Sequence, residues 1–388
     1  KLTVRTPEQM RKQGVEVHVH HEVTAINPSA QKVTVCDLRG QREFEQSYDK
    51  LIIATGARPA QASLPGSELR GIFSLRSLES GVAVQRFVAE KRPERAVIIG
   101  GGYVGVEMAE TFRRLGLEVV MIIRSGQVLR TALDDDVRDL VHAELAHQGV
   151  HLVQSTPVAF EGDWRVESVV TADGRYPCDL VMLGMGAQPN VDLARTAGVA
   201  LGPTGAIATS AAMEANLPGI YAAGDCTEAT HLVTGQPAYI PLGSTANKQG
   251  RIAGENAAGG RATFGGIVGT TILRCFDLAV ASTGLTAAKA RAAGFTVEET
   301  LIQAKDISHF FPGAADIHVK LVVDGDRKWL LGGQVAGVRG VARRVDVLVT
   351  ALYCRMTIAD LRKLDLSYAP PFAPVWDPIL VAANVADK

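Results

Sequence analysis

The sequence has no excess of charge of either sign. Lys and Arg number 40 against 41 Asp and Glu, a net charge of -1. That balance gives no sign of a nucleic-acid partner or of attachment to an anionic membrane. No apolar run is long enough to span a bilayer, and no signal peptide precedes the fold, so a soluble cytoplasmic protein is expected. Cysteine is scarce: Cys36, Cys178, Cys226, Cys275 and Cys354 are far apart, with no CxxC and no metal-type spacing. Neither a disulfide framework nor a metal site is expected. These residues read as small buried or half-buried side chains in a reducing compartment. There is also no repeat at solenoid spacing and no low-complexity segment.

What is present is ordinary globular composition, 47% hydrophobic and 21% charged, in 388 residues. That length predicts two or three domains. Residues 16–56 read as strands: VEVHVH, KVTVCDL and the apolar run LIIATG. From Arg95 the chain reads strand (AVIIG), glycine turn, helix (YVGVEMAETFRRLG) and strand (EVVMII). Val104, Met108, Phe112 and Leu115 recur at helical spacing and predict an apolar face, with Gly116 as the stop. A helix is expected over Asp135–Gln148 and another over Ser244–Ala258, with GIYAAGDCTE between them as a strand entering a turn. After Gly265 come strands (TILRCF, HVKLVVD, LLGGQVAG) and helices at Val341–Leu352 and Ile358–Leu364.

The central motif is Gly100-Gly101-Gly102-Tyr103-Val104-Gly105, a GxGxxG between a strand and a helix. Gly100 permits the tight turn, Gly102 the approach of a pyrophosphate, and Gly105 close helix–strand packing. The helix N-terminus offers free N–H groups and a positive dipole end to phosphates. The motif therefore predicts dinucleotide binding. An NAD site wants an acidic residue at the end of the second strand. Here the strand ends Ile122-Ile123-Arg124. A guanidinium can pair with a 2′-phosphate, which predicts NADPH preference or dual use, unless Arg124 is a solvated strand-end charge. Asp225, after GIYAAG, reads either as an acceptor for a cofactor hydroxyl or as a helix cap.

In order along the chain, ATGARP, GGGYVGVEMAE, MLGMGAQPN and YAAGDC resemble the characteristic segments of the pyridine nucleotide–disulfide oxidoreductase family. PLGSTANKQGRIAGENAAG, HFFPGA and DLSYAPPFAPVWDP are similar to its branch of coenzyme A-disulfide reductases, NADH oxidases and NADH peroxidases. The resemblance implies an α/β protein with two Rossmann-like dinucleotide-binding domains plus a C-terminal α+β dimerisation domain. The FAD domain is discontinuous (1–75 and 195–266), the NAD(P) domain is 76–194, and 267–388 dimerises. It implies FAD held by Ala54, Thr55, Gly56, Gly224, Asp225, Leu242, Thr245 and Ala246. It implies NADPH or NADH on Gly100, Gly102, Gly105, Arg124 and Gly186. Tyr103 is expected to shield the flavin until the nicotinamide displaces it, with Glu107 near the nicotinamide or simply a polar residue on a helix face. Tyr368 is expected to reach the partner subunit's active site in a homodimer.

Two departures bear on activity. The family's N-terminal FAD fingerprint and the branch's redox cysteine should precede the segment that begins at Lys1. The chain is therefore expected to lack an N-terminal part, to be inactive alone in thiol–disulfide exchange, and to hold flavin weakly or not at all. HFFPGA carries Phe310 and Phe311 where a tyrosine is often found, which leaves oxygen or peroxide open as acceptor beside coenzyme A disulfide or a persulfide. His309 has no matching acidic partner and reads as structural. A non-catalytic, redox-sensing nucleotide module is the reading from another class.

Overall fold

A computed structural model describes residues 5–60 and 63–388. The chain divides into two compact units. The first comprises Lys1–Ala57, Pro189–Ala229 and Pro237–Gly265, the second Arg58–Gln188, Thr230–Gln236 and Gly266–Lys388.

In the first unit the strands Leu51–Ile53 and Ile220–Ala222 pair in parallel, with Ile53 opposite Ala222. Ala54–Thr55 and Ala223–Gly224 therefore leave the sheet side by side, at the strand ends where open α/β sheets bind ligands. A three-stranded antiparallel meander, His21–Asn27, Lys32–Asp37 and Arg42–Ser47, buries Ile26, Val33 and Val35 against Val191, Ala194 and Ile220. The helix Gly243–Ala257 completes the unit.

The second unit contains two five-stranded sheets. One is parallel, in the order Ile72–Ser74, Leu180–Leu183, Arg95–Ile99, Glu118–Ile123, Val150–Gln154. Ala96 to Ile99 are all buried, as a strand covered on both faces requires. The chain runs outward from Arg95–Ile99 to Val150–Gln154, then returns to the other side at Leu180. The order thus reverses between Ile99 and Leu183, which opens a crevice at their C-terminal ends. The other sheet is antiparallel, in the order Thr271–Cys275, Leu278–Gly284, Leu330–Gly337, Asp316–Asp324, Val297–Lys305. Leu330–Gly337 is buried at every residue, and the helix Val341–Tyr353 presents Val341, Val345, Leu348 and Leu352 to the core of this part.

The two parts of the second unit are tied by polar contacts. The carboxamide of Gln334 accepts from the Asp134 backbone N–H (3.0 Å) and donates to the Asp134 carboxylate (2.6 Å), which also accepts from the Ala287 N–H (3.0 Å). Lys320, 3% exposed, reaches Asp136 and Glu299 at 2.7 Å. Burial pulls its ammonium down, but hydrogen bonds to Asp136 and Glu299 and the charge of Asp134 outweigh it and leave the group above the ordinary lysine value. That stabilisation is complete at neutral pH and is lost only as pH rises through the raised value.

Several sequence expectations need correction. Residues 15–18 are irregular and 19–20 a turn, and the first strand starts at His21. Val15 and Val19 are exposed, so the alternation in VEVHVH has no core to face. Leu115 lies beyond the buried face of its helix, at the C-cap, and is exposed; Met108 and Phe112 are buried as expected. The helix expected to Leu364 ends at Leu361. Ile72–Ser74 pairs in parallel with Val181–Leu183 in the second unit's sheet.

Lys320→Met should lower the unfolding free energy by about 2 kcal/mol, because Asp134 and Asp136 lose their cation. The value is modest because Asp136 is partly exposed and Glu299 keeps Arg291. A urea titration showing no loss would contradict this account of the junction.

Candidate functional site

The crevice at the sheet reversal is lined by glycine for steric reasons that can be read position by position. Gly100 has φ +105°, and a Cβ there would lie 2.5 Å from the Gly184 carbonyl. Gly184 in turn donates its N–H to Ile99 at 2.8 Å. A Cβ on Gly105 would stand 2.4 Å from the Gly100 carbonyl. These glycines let the helix Tyr103–Arg114 start against the strand end. Gly102 differs: its φ is -77°, and the nearest atom to a Cβ is the Gly184 carbonyl at 3.8 Å. The protein itself leaves room there. Glycine at 102 answers to something outside the fold, as a pyrophosphate approaching the helix start would require. The helix has no side-chain cap at Gly102 and no acidic residue in its first turn, so its positive end stays available to an anion.

Gly186 lies just past Gly184, exposed, at φ +94° and with open space at its Cβ position. Arg124 follows the second strand and is exposed, with no acceptor on its guanidinium among the described residues. Sequence reasoning missed Gly101, whose Cβ would meet Ile123 Cδ1 at 2.9 Å and whose carbonyl accepts from Leu129 N at 2.7 Å. It also missed Arg130, exposed in the same way at the end of the loop. No periodicity marks a second arginine in an irregular segment.

Tyr103 is the first residue of the helix, half-buried, and its hydroxyl donates to Thr271 Oγ1 at 2.8 Å. Burial pushes the phenol's pKa up, so it remains a donor at neutral pH. Glu107, one turn on, is held above the ordinary carboxylate value by partial burial and then by the charge of Glu110.

The first unit brings its candidates to one strand-end region. Thr55 Oγ1 donates to the Asn190 carbonyl at 2.6 Å, and Asn190 returns a side-chain N–H to the Thr55 carbonyl at 2.9 Å. Gly56 has φ +67° with nothing near its Cβ position. In the neighbouring turn Gln249 Oε1 accepts from Gly224 N (2.9 Å) and from Thr227 Oγ1 (3.0 Å), while Tyr239 donates to the Asp225 carbonyl (2.9 Å). Asp225 does not cap a helix: the next one is Gly243–Ala257, with Leu242 at its N-cap. Leu242, Thr245 and Ala246 are half-buried at the start of that helix, which has no side-chain cap and no acid in its first turn. Strand ends, open glycines and an uncapped helix start suit a large neutral or anionic cofactor, so Ala54–Gly56, Gly224–Asp225 and Leu242–Ala246 fit FAD.

Tyr368 is 50% exposed in the second unit, as are Phe310 (67%) and Phe372 (71%). His309 is exposed and edge-on to Phe310, with ring centroids 5.4 Å apart, so no core role falls to it. Cys178 and Cys275 are buried, and burial pushes both thiols up to about 12. Among the described residues no group of three or more His, Cys, Asp or Glu could hold a metal, and no helix is long and apolar enough to cross a membrane.

Residues 3–250 match the pyridine nucleotide-disulphide oxidoreductase family, and residues 272–378 match its dimerisation domain. The chain belongs to this family. It is an FAD- and NAD(P)H-dependent oxidoreductase of the coenzyme A-disulfide reductase and NADH oxidase branch. Its architecture is two Rossmann-like dinucleotide-binding domains and a C-terminal α+β dimerisation domain. The NAD(P)H coenzyme A polysulfide/persulfide reductase of Pyrococcus horikoshii is 38% identical over 99% of this chain and 86% of its own. The structure of an NAD-dependent persulfide reductase from A. fulgidus is 38% identical, with a TM-score of 0.95 over 99% of this chain and 71% of that one. An engineered water-forming NADPH oxidase bound to NADPH, derived from the Lactobacillus brevis NADH oxidase, is 30% identical, with a TM-score of 0.95 over 100% of this chain and 86% of its own.

Gly102→Ala separates fold from ligand. The extended backbone and free space accept the methyl, so the melting temperature should move by less than about 2 °C. Affinity for NADPH should fall by about tenfold or more, since the methyl occupies the pyrophosphate's path. Unchanged affinity by calorimetry would remove the pyrophosphate from this position.

Proposed function

We propose that the protein uses NADPH to reduce the sulfur–sulfur bond of coenzyme A disulfide or a coenzyme A-linked persulfide. For a disulfide the balance is RSSR + NADPH + H⁺ → 2 RSH + NADP⁺. The observation that carries this reading is the 38% identity, along nearly the whole chain, to proteins named for persulfide reduction. FAD, when bound, supplies the two-electron relay between nicotinamide and sulfur. The chain's part is to bind and orient: Gly100, Gly102 and Gly105 admit the pyrophosphate, Gly186 flanks it, and Glu107 stands one turn along the same helix. Cys178 and Cys275 remain thiols at neutral pH and cannot attack sulfur, since only a thiolate does. The attacking thiolate is therefore a cysteine other than these two, in keeping with the branch's redox cysteine.

The preference for NADPH rests on the loop after Ile123. The engineered NADPH oxidase differs from its parent by Asp to Ala, Ala to Arg and Met to Ser at successive positions, and by Pro to Arg five positions further on. Ile123, Arg124, Ser125 and Arg130 have the same intervals here: no acid, an arginine, a serine and a second arginine. A Gly-to-Ala exchange eighteen positions before the first has no counterpart, because Gly105 stands at that interval. Two guanidiniums without acceptors suit a 2′-phosphate.

A second reading, oxygen or peroxide as acceptor, is favoured by Phe310 and Phe311, which place no phenol in that loop. We assign the dimer interface to the C-terminal domain and to its exposed apolar side chains Phe310, Phe311, Tyr368, Phe372, Val375 and Trp376. Ser308 N–H donates to the Pro370 carbonyl at 3.2 Å, which fixes one loop of this surface against the other.

Anaerobic NADPH consumption by the flavin-loaded protein with coenzyme A disulfide or persulfide tests the reaction. Consumption only when oxygen or peroxide is admitted would replace the reductase by the oxidase. Arg124→Ala should lower the ratio of kcat/KM for NADPH over NADH by about tenfold, ~1.4 kcal/mol, and Arg130→Ala should act in the same direction; an unmoved ratio in both variants ends the NADPH reading. Phe372→Asp combined with Trp376→Asp should convert a dimer to a monomer in sedimentation at micromolar concentration, and a dimer that survives both changes would move the interface elsewhere.

A further inference from the structure

Tyr103 is anchored by a chain of hydroxyls that no part of the reaction so far uses. Its phenol donates to Thr271 Oγ1 at 2.8 Å. Thr271 and Ser282 face each other across the Thr271–Cys275 and Leu278–Gly284 pair, with Oγ1 and Oγ 3.1 Å apart. Thr271 Oγ1 accepts from the phenol, and either hydroxyl of the Thr271–Ser282 pair can donate to the other. Ser282 is 9% exposed, which makes the inner end of the chain costly to leave unpaired.

Tyr103 also follows Gly102 directly, at the mouth of the dinucleotide crevice. Its ring is partly buried and packs against the core cluster that holds Met108 and Phe112, which are themselves buried more deeply. The ring therefore has two anchors of different kinds. One is partial apolar burial, and the other is polar: the phenol's hydrogen bond to Thr271, 168 residues away in sequence, with Ser282 also acting on the phenol.

We propose that Thr271, backed by Ser282, is a positioning residue that latches Tyr103 in the nicotinamide's path, and that nucleotide binding must break the Tyr103–Thr271 hydrogen bond. The proposal rests on the reading that Tyr103 stands in that path. The latch lowers the population of the binding-competent state, so apparent affinity is the intrinsic affinity reduced by that fraction. It also makes Thr271, in the strand Thr271–Cys275 that leads into the segment matching the dimerisation domain, a determinant of nucleotide affinity.

The test is calorimetric titration of the flavin-loaded protein with NADPH, beside thermal melting. Thr271→Val and Tyr103→Phe each remove the bond and keep the shape, and each should tighten NADPH binding by about threefold to tenfold. The double variant should be no tighter than either single one, because both remove the same interaction. Thr271→Ser restores a hydroxyl and should bind as the wild type does. If Tyr103→Ala changes affinity but Thr271→Val leaves it unchanged, Tyr103 blocks the path without a latch and the proposal is overturned. Weaker binding by Thr271→Val together with a lower melting temperature assigns Thr271 a purely structural role and also overturns it. If Tyr103→Ala leaves affinity unchanged, Tyr103 is not in the path at all, and the underlying reading falls with the latch.

Discussion

The nucleotide half depends on one close approach. The Gly100 and Gly184 backbones come within reach of a methyl group, and the Gly105 helix start sits equally close to the Gly100 carbonyl. Without side chains at these points the helix can begin at the strand end instead of beyond it. Its unpaired N–H groups then face the crevice where the strand order reverses. Everything the site offers to a phosphate follows from that approach, and Gly102, which crowds nothing, is the position the approach leaves free.

The same half is held to the antiparallel sheet by directed polar contacts as well as apolar ones. Asp134 begins the helix after the nucleotide loop, yet its carboxylate serves Ala287 and Gln334 rather than its own helix. Lys320 collects the neighbouring acids. Buried charges of this kind contribute little net stability, but removing one partner leaves the other uncompensated. Tyr103 and Thr271 add a contact at the site itself.

Much of this was legible in the sequence because local physics wrote it there. A glycine turn between an apolar strand and a helix has few other uses, and Met108 and Phe112 fell on the buried face as their spacing required. The strand Arg42–Ser47 was not legible, since every residue in it is exposed and no alternation marks it. VEVHVH showed the opposite failure, a strand pattern with no partner to pair with. Ile72–Ser74 is three residues long, and only its pairing with Val181–Leu183 reveals which sheet it joins.

The sequence by itself determined the dinucleotide fold, the glycine fingerprint, the absence of an acid at Ile123 and the presence of Arg124, because each is a property of residues near one another in the chain. The tertiary structure alone decided that Gly184 is the reason for Gly100, that Arg130 is exposed and without an acceptor like Arg124, that Asp225 caps no helix, and that the Tyr103 hydroxyl ends on Thr271. Those facts join residues tens to hundreds of positions apart. Which of them meet is set by strand order and packing, and no local pattern encodes that.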